Sequence, residues 1–203
     1  MSKPNLPLIE DVRKLLSGYK SSKFLFQNLA KDLDLPLELL ESTFGDEKGL
    51  VEEILNFEQQ NLENIFSEFD FTDTNAIDDL LVVSKEISNK AMNILPSITF
   101  DLRSDFPEVR QKFVDKRVNF VSAKIRSNFE FGIKQGMYRP DLSAELISRI
   151  YISRLMDLQN PDYFPNSFSF PVLFDVMFDT FIRGICSDEG KRYYEKKIKR
   201  MKF

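Results

Sequence analysis

Histidine is absent from the 203 residues, and Cys186 is the single cysteine. The usual general base, the usual zinc ligands and any internal disulfide are thereby removed. Acidic side chains are plentiful but poorly arranged for catalysis. Asp78 and Asp79, like Asp188 and Glu189, are sequence neighbours, which diverge on a helix. Asp70, Thr72, Thr74 and Asp78 begin to match a calcium loop. Asn75 stands where that loop's sharp turn needs glycine, however, and Leu81 where its bidentate glutamate belongs. The seven glycines form no phosphate-cradling run. An enzyme is the weakest class, with no metal and no cofactor expected, and the remaining side chains are suited to binding.

The stretch best suited to binding is Leu29 to Leu50, LAKDLDLPLELLESTFGDEKGL. Its spacing predicts two short helices meeting at a corner. Leu29, Ala30 and Leu33 fall on one face of the first helix, and Leu39, Leu40 and Phe44 on one face of the second. Asp34 suits the left-handed backbone of a helix end, and Pro36 suits a helix's first turn. Gly45-Asp46 ends the second helix and caps the next. This is the outline of a helix-turn-helix. Upstream, Leu8 to Leu16 forms another amphipathic helix closed by Gly18-Tyr19, with Ser21 or Ser22 expected to cap the helix that follows.

These elements need a larger frame. Apolar residues make up 42% of the chain and Phe alone contributes 20, against seven Gly and nine Pro, which favours an all-helical globular protein. A long helix is expected from Asp46 to about Phe69, partly buried through Leu50, Val51, Ile54, Phe57, Leu62 and Phe66, with its Glu and Gln residues in water. Others are expected from Asn75 to about Leu95, with Asp78 completing the cap, and from Pro107 to about Gln135, with Gly136 just beyond its end. Two more cover Leu142–Leu158 and Pro171–Cys186, and a solvated basic helix ends the chain. No stretch has the length of a membrane span and no signal pattern opens the sequence, so a cytoplasmic protein without membrane contact is expected.

The order Gly18-Tyr19, Leu29-Ala30, Leu35, Leu40, Phe44, Leu50 resembles the amino-terminal pattern of the tetracycline-repressor (TetR/AcrR-like) family of bacterial regulators. The run from Ile133 to Leu142, with its Gly136, Arg139 and Asp141-Leu142, is similar to that family's connection between helices seven and eight. Arg183-Gly184-Ile185, followed by Gly190, is similar to the end of its last paired helix. The resemblance implies an all-α fold in two parts. Residues 1–50 would be a three-helix helix-turn-helix DNA-binding domain, and residues 51–203 a helical ligand-binding and dimerisation domain.

It further implies a dimeric transcriptional regulator that binds double-stranded operator DNA and is modulated by a small apolar ligand. The positions that would meet DNA are Ser21, Ser22, Lys23, Leu37, Glu38, Glu41, Ser42, Thr43 and Lys48. Helices over 142–158 and 171–186 would pair with their copies in a homodimer along Leu146, Ile150, Leu173, Met177, Phe181 and Gly184. Met92, Phe113, Phe120, Phe129 and Tyr151 are candidate ligand-pocket residues.

Departures from the family pattern concentrate in the reading helix. Pro36, Leu37 and Glu38 stand where Ser, Lys or Arg, and Gly or Ala are customary, Glu41 replaces a phosphate-bracing Tyr, and Glu47 replaces a Lys. Residues 1–50 carry seven basic and eight acidic side chains, a poor footprint for phosphate. The alternative is therefore a protein of this fold that has lost DNA binding and acts as a ligand or lipid carrier or as a protein-interaction module.

Overall fold

A computed structural model describes residues 6–16, 25–68, 74–90, 106–158, 163–164 and 168–201. Among them are nine α-helices: α1 (Leu6–Leu16), α2 (Phe26–Asp32), α3 (Leu37–Phe44), α4 (Glu47–Ser67), α5 (Ala76–Asn89), α6 (Pro107–Lys134), α7 (Ala144–Asp157), α8 (Phe170–Ile185) and α9 (Asp188–Met201). The only β pairing among the described residues is an isolated antiparallel bridge, Tyr138 to Cys186. The chain divides into two compact units, Met1–Glu63 with Asn93–Lys116, and Asn64–Met92 with Arg117–Phe203.

The first unit is built on the corner between α2 and α3. Leu33 closes α2, Asp34 follows at φ 52°, and the Asp34 and Leu35 N–H groups donate to the Lys31 and Ala30 carbonyls at 3.3 and 2.8 Å. This is a complete Schellman end, with Asp in the left-handed position that glycine usually fills. Pro36 then serves as N-cap of α3 at φ −60° and ψ 135°, one position before the helical turn expected for it. At the far end of α3, Gly45 adopts φ 80°, and the Asp46 carboxylate accepts from the Gly49 N–H at 2.7 Å to start α4. Gly49 is required for a second reason: a Cβ there would lie 2.1 Å from the Phe44 carbonyl oxygen.

The core beneath this corner joins Ile9, Val12, Leu29, Leu40, Leu50 and Ile54, with Val109 from α6. Full burial of each such aliphatic side chain contributes about 1.5–3 kcal/mol. Leu39 does not share the buried face expected for it; Leu40 and Phe44 point inward while Leu39 is exposed, since one residue turns the helix by about 100°. Glu58 and Gln59, expected in water, are fully buried on α4. Glu58 Oε1 meets Arg13 Nε of α1 at 2.9 Å, and the Arg13 guanidinium lies 5.4 Å from the Phe57 ring centroid, so a charge-assisted bond ties α1 to α4.

In the second unit, the start of α5 is gripped by the end of α6. Asn75 caps α5 through Ile77 N–H, as expected, but Asp78 turns away to α9, and Asp79 takes the Thr74 hydroxyl instead. The Gln135 side chain accepts from Ala76 N–H at 2.8 Å and donates to the Thr74 carbonyl at 2.9 Å. Tyr138 stacks on Phe129 at 5.5 Å, and its hydroxyl lies 3.1 Å from the Ala76 carbonyl oxygen. Gly132 makes room for that ring, since a Cβ there would sit 2.1 Å from it. Gly136, at φ 74°, ends α6 as expected. Helix α5 ends at Asn89; the remainder of the stretch expected to reach Leu95 lies outside the described residues.

Candidate functional site

Two surfaces offer themselves for binding, one on each unit. On the first, α3 presents its outer face. Glu38, Glu41 and Ser42 are exposed, Thr43 is half-buried, and Leu37 turns partly into the core. The Ser42 and Thr43 hydroxyls both donate to the Leu39 carbonyl, at 3.2 and 2.6 Å, so their protons are engaged with the helix's own backbone. No basic residue occurs in α3. The exposed cations of α2 and the start of α4 are Lys31 and Lys48, amid exposed Asp32, Asp34 and Asp46. Ser21, Ser22 and Lys23 lie outside the described residues.

The cap expected at Ser21 or Ser22 falls instead to Leu25, which has no side-chain bond to give. Its work is done from α4: Glu47 Oε1 accepts the Phe26 N–H at 3.0 Å. A carboxylate at a helix N-terminus satisfies an orphan donor and favours the helix dipole. Glu47 therefore has a structural task where the family's pattern places a Lys. Sequence reasoning missed it because donor and acceptor are 21 residues apart.

On the second unit, α7 and α8 pack together through Tyr151 and Phe181, whose ring centroids are 4.8 Å apart. Helix α8 buries Phe174, Phe178 and Ile182 on one side, with Phe174 at 6.2 Å from Phe178. Its other side exposes Val172 and Val176 alongside Asp175 and Thr180, and Leu146 and Ile150 of α7 are exposed too, Val176 at 64% and Leu146 at 60%. Tyr163 and Phe168, from the chain between the two helices, are exposed beside them. Val172, Val176, Tyr163 and Phe168, together with Ile150, Leu173, Met177 and Phe181 but without Leu146, line a groove of about 860 Å³, with Arg154 and Asp157 as its charged members.

Four of the six residues expected at the pairing seam, Ile150, Leu173, Met177 and Phe181, thus meet in one groove. Leu146 is exposed on α7, and Gly184 is exposed with nothing within 4 Å of the place a Cβ would take. Val172, Val176, Tyr163 and Phe168 were not anticipated there. The signal was present in PVLFDVMF at 171–178, which is apolar on two helical faces and so calls for two neighbours.

The candidate ligand-pocket residues are dispersed. Phe113 packs against the core of the first unit. Within the second, Phe120 meets Phe66 edge-on at 5.3 Å, Phe129 stacks on Tyr138, and Tyr151 meets Phe181. Met92 lies outside the described residues. Burial raises the Tyr151 and Tyr138 phenols well above their ordinary values and pushes the Cys186 thiol up to about 11, so all three are neutral packing groups near neutral pH.

A helix-turn-helix in one unit and an apolar groove between two helices of the other define a class of all-helical proteins. No protein-family model matches the sequence, and no curated protein matches it either. Solved structures do. A TetR-family regulatory protein from Rhodococcus RHA1 superposes with a TM-score of 0.70 at 17% identity, covering 93% of this chain and 100% of the other. A TetR-family transcriptional regulator from Agrobacterium tumefaciens gives 0.69 at 15% identity, over 89% and 96%. The ketosteroid transcriptional regulator of Mycobacterium tuberculosis gives 0.59 at 15%, over 93% and 97%. The chain has the all-α fold of TetR-family transcriptional regulators.

Proposed function

We propose that this chain is a dimeric, cytoplasmic, TetR-like transcriptional regulator. Residues 1–50 form its DNA-binding head and residues 51–203 its ligand-responsive, pairing body. The observation that carries the reading is the corner itself: α2, a complete Schellman end at Asp34, and α3 with its outer face open to solvent, in a chain whose fold matches regulators over most of its length. In a twofold dimer joined along α7 and α8, two copies of α3 would address half-sites about one helical turn apart. A small apolar molecule bound in the second unit would favour one spacing of the two heads over another. The ketosteroid regulator among the structural neighbours makes a flat apolar ligand a sensible first class to screen.

The acidic α3 supports a second reading, a protein of this fold that carries a ligand or a protein partner without reading DNA. Exposed Glu38 and Glu41 face away from the core with no cation on their helix, and phosphate would repel them. One experiment separates the readings: selection of bound fragments from the source genome in the presence of excess unspecific duplex. A regulator returns a short two-part sequence, and the affinity for it exceeds unspecific binding by at least about 10³-fold. Return of no sequence leaves the carrier reading.

A further inference from the structure

Helix α9 belongs to neither surface. Its first turn exposes Asp188 and Glu189, which suit the positive end of the helix dipole, and the two and a half turns that follow expose Lys191, Arg192, Glu195, Lys196, Lys199 and Arg200. These positions recur as adjacent pairs every four residues, so they line one side of the helix over about 13 Å. Among these later positions the one acid is already taken: Glu195 Oε1 accepts from Arg183 at 3.2 Å. None of the five cations forms an ion pair with a described residue, whereas neighbouring Arg183 and Lys197 are paired, to Asp179 and Asp78.

The other side of α9 is anchored. Buried Tyr194 donates to Asp179 at 2.9 Å, Tyr193 donates to Asp78 at 2.6 Å, and Lys197 meets the same Asp78 oxygen at 2.8 Å. The stripe is thus a fixed row of charge and not a loose tail. It exposes no apolar side chain, and freeing the buried side would break three hydrogen bonds, so insertion into a lipid interface is disfavoured. A dense, regular array of phosphates is the better complement, and the two arginines suit bidentate phosphate contacts.

We infer that the α9 stripe is a sequence-independent docking surface for the phosphate backbone of duplex nucleic acid. It goes beyond the operator reading, because it makes no use of α3 and holds whether or not α3 reads a sequence.

The test measures fluorescence anisotropy of a 20-base-pair duplex of arbitrary sequence with the full chain from 50 to 200 mM salt. Five phosphate contacts predict a slope near −4.5 in log affinity against log salt, a loss of about 10²–10³-fold over that range. Replacing Lys191, Arg192, Lys196, Lys199 and Arg200 by Gln keeps helix propensity and should remove most of both affinity and slope. If that variant loses helicity by circular dichroism, Lys199→Gln with Arg200→Gln alone should reduce the slope by about 1.8. Unchanged duplex binding by these variants overturns the inference. So does a wild-type chain that ignores duplex at 50 mM salt, or that binds phosphatidylglycerol vesicles but not duplex. The genomic selection fails independently: if no sequence is returned while the salt-dependent affinity persists, the regulator reading falls and the α9 surface stands.

Discussion

The outer faces of α3 and α8 differ in the one respect that matters for a surface. Both helices bury one side, Leu40 and Phe44 in α3, Phe174, Phe178 and Ile182 in α8. The outside of α3 is then mostly polar, whereas the outside of α8, besides Asp175 and Thr180, exposes Val172 and Val176 in an apolar line that Met177 and α7 continue. Exposed polar residues need no explanation, but a contiguous apolar face does. The pairing half of the regulator reading therefore rests on a feature that calls for a partner. The reading half rests on backbone geometry, with side chains that oppose the partner it needs.

The strongest way to break that contrast is to charge the apolar face. Ile150→Glu with Val176→Glu alters two side chains that are exposed in the single chain, so the fold should survive. In a twofold pair four carboxylates would be buried, each costing several kcal/mol. Sedimentation should show a dimer for the wild type and a monomer for the variant, the dissociation constant rising at least about 1,000-fold. An unchanged dimer would mean that α7 and α8 do not form the seam.

Next in size is the first unit's own integrity. Arg13→Ala leaves Glu58 a buried charge without its α1 partner, a loss of about 3–5 kcal/mol. Urea unfolding should register it, and Arg13→Met with Glu58→Leu should recover most of the stability. A loss below about 1 kcal/mol would show that α1 is held to α4 by packing alone.

The reading half is sharpened by removing its acids. Glu38→Gln with Glu41→Gln deletes two like charges from the face that would meet phosphate. At contact in water each repulsion is worth about 1 kcal/mol, so duplex affinity should rise about tenfold or more in low salt. A fall in affinity for the selected sequence would reverse the inference, assigning one of the carboxylates to a cytosine amino group.

The local rules exposed the corner well: the Asp34 turn, the end of α3 at Gly45, the Asp46 cap and the end of α6 at Gly136 all depend on residues within a few positions of each other. What escaped was set by distant partners. Glu58 looks like a solvated residue until Arg13, 45 positions away, is brought beside it. Glu47 looks like a hostile substitution until it meets the Phe26 N–H, and Asp78 looks like a capping residue until α9 arrives. The pairing face was half legible, since apolar residues on two sides of a helix announce a second neighbour without saying which residues of the intervening chain will join it. The candidate ligand residues were the least legible. Helical spacing marks which aromatic rings are inside but not whether they close on each other or around a space, and here each described ring has its own protein partner.

The smallest predicted effect tests the feature that both readings share. Asp34 occupies φ 52°, a region that costs a side-chain-bearing residue about 1 kcal/mol and glycine almost nothing. Glycine's greater freedom in the unfolded chain offsets part of that gain. Asp34→Gly should therefore stabilise the first unit by up to about 0.5–1 kcal/mol, while Asp34→Val, whose branched Cβ is strained there, should destabilise it by more. Thermal unfolding of the two variants is the measurement. If the order is reversed, the chain does not turn through a left-handed residue between α2 and α3. The geometry that brings α3 outward, on which DNA reading and its loss alike depend, would then be wrong.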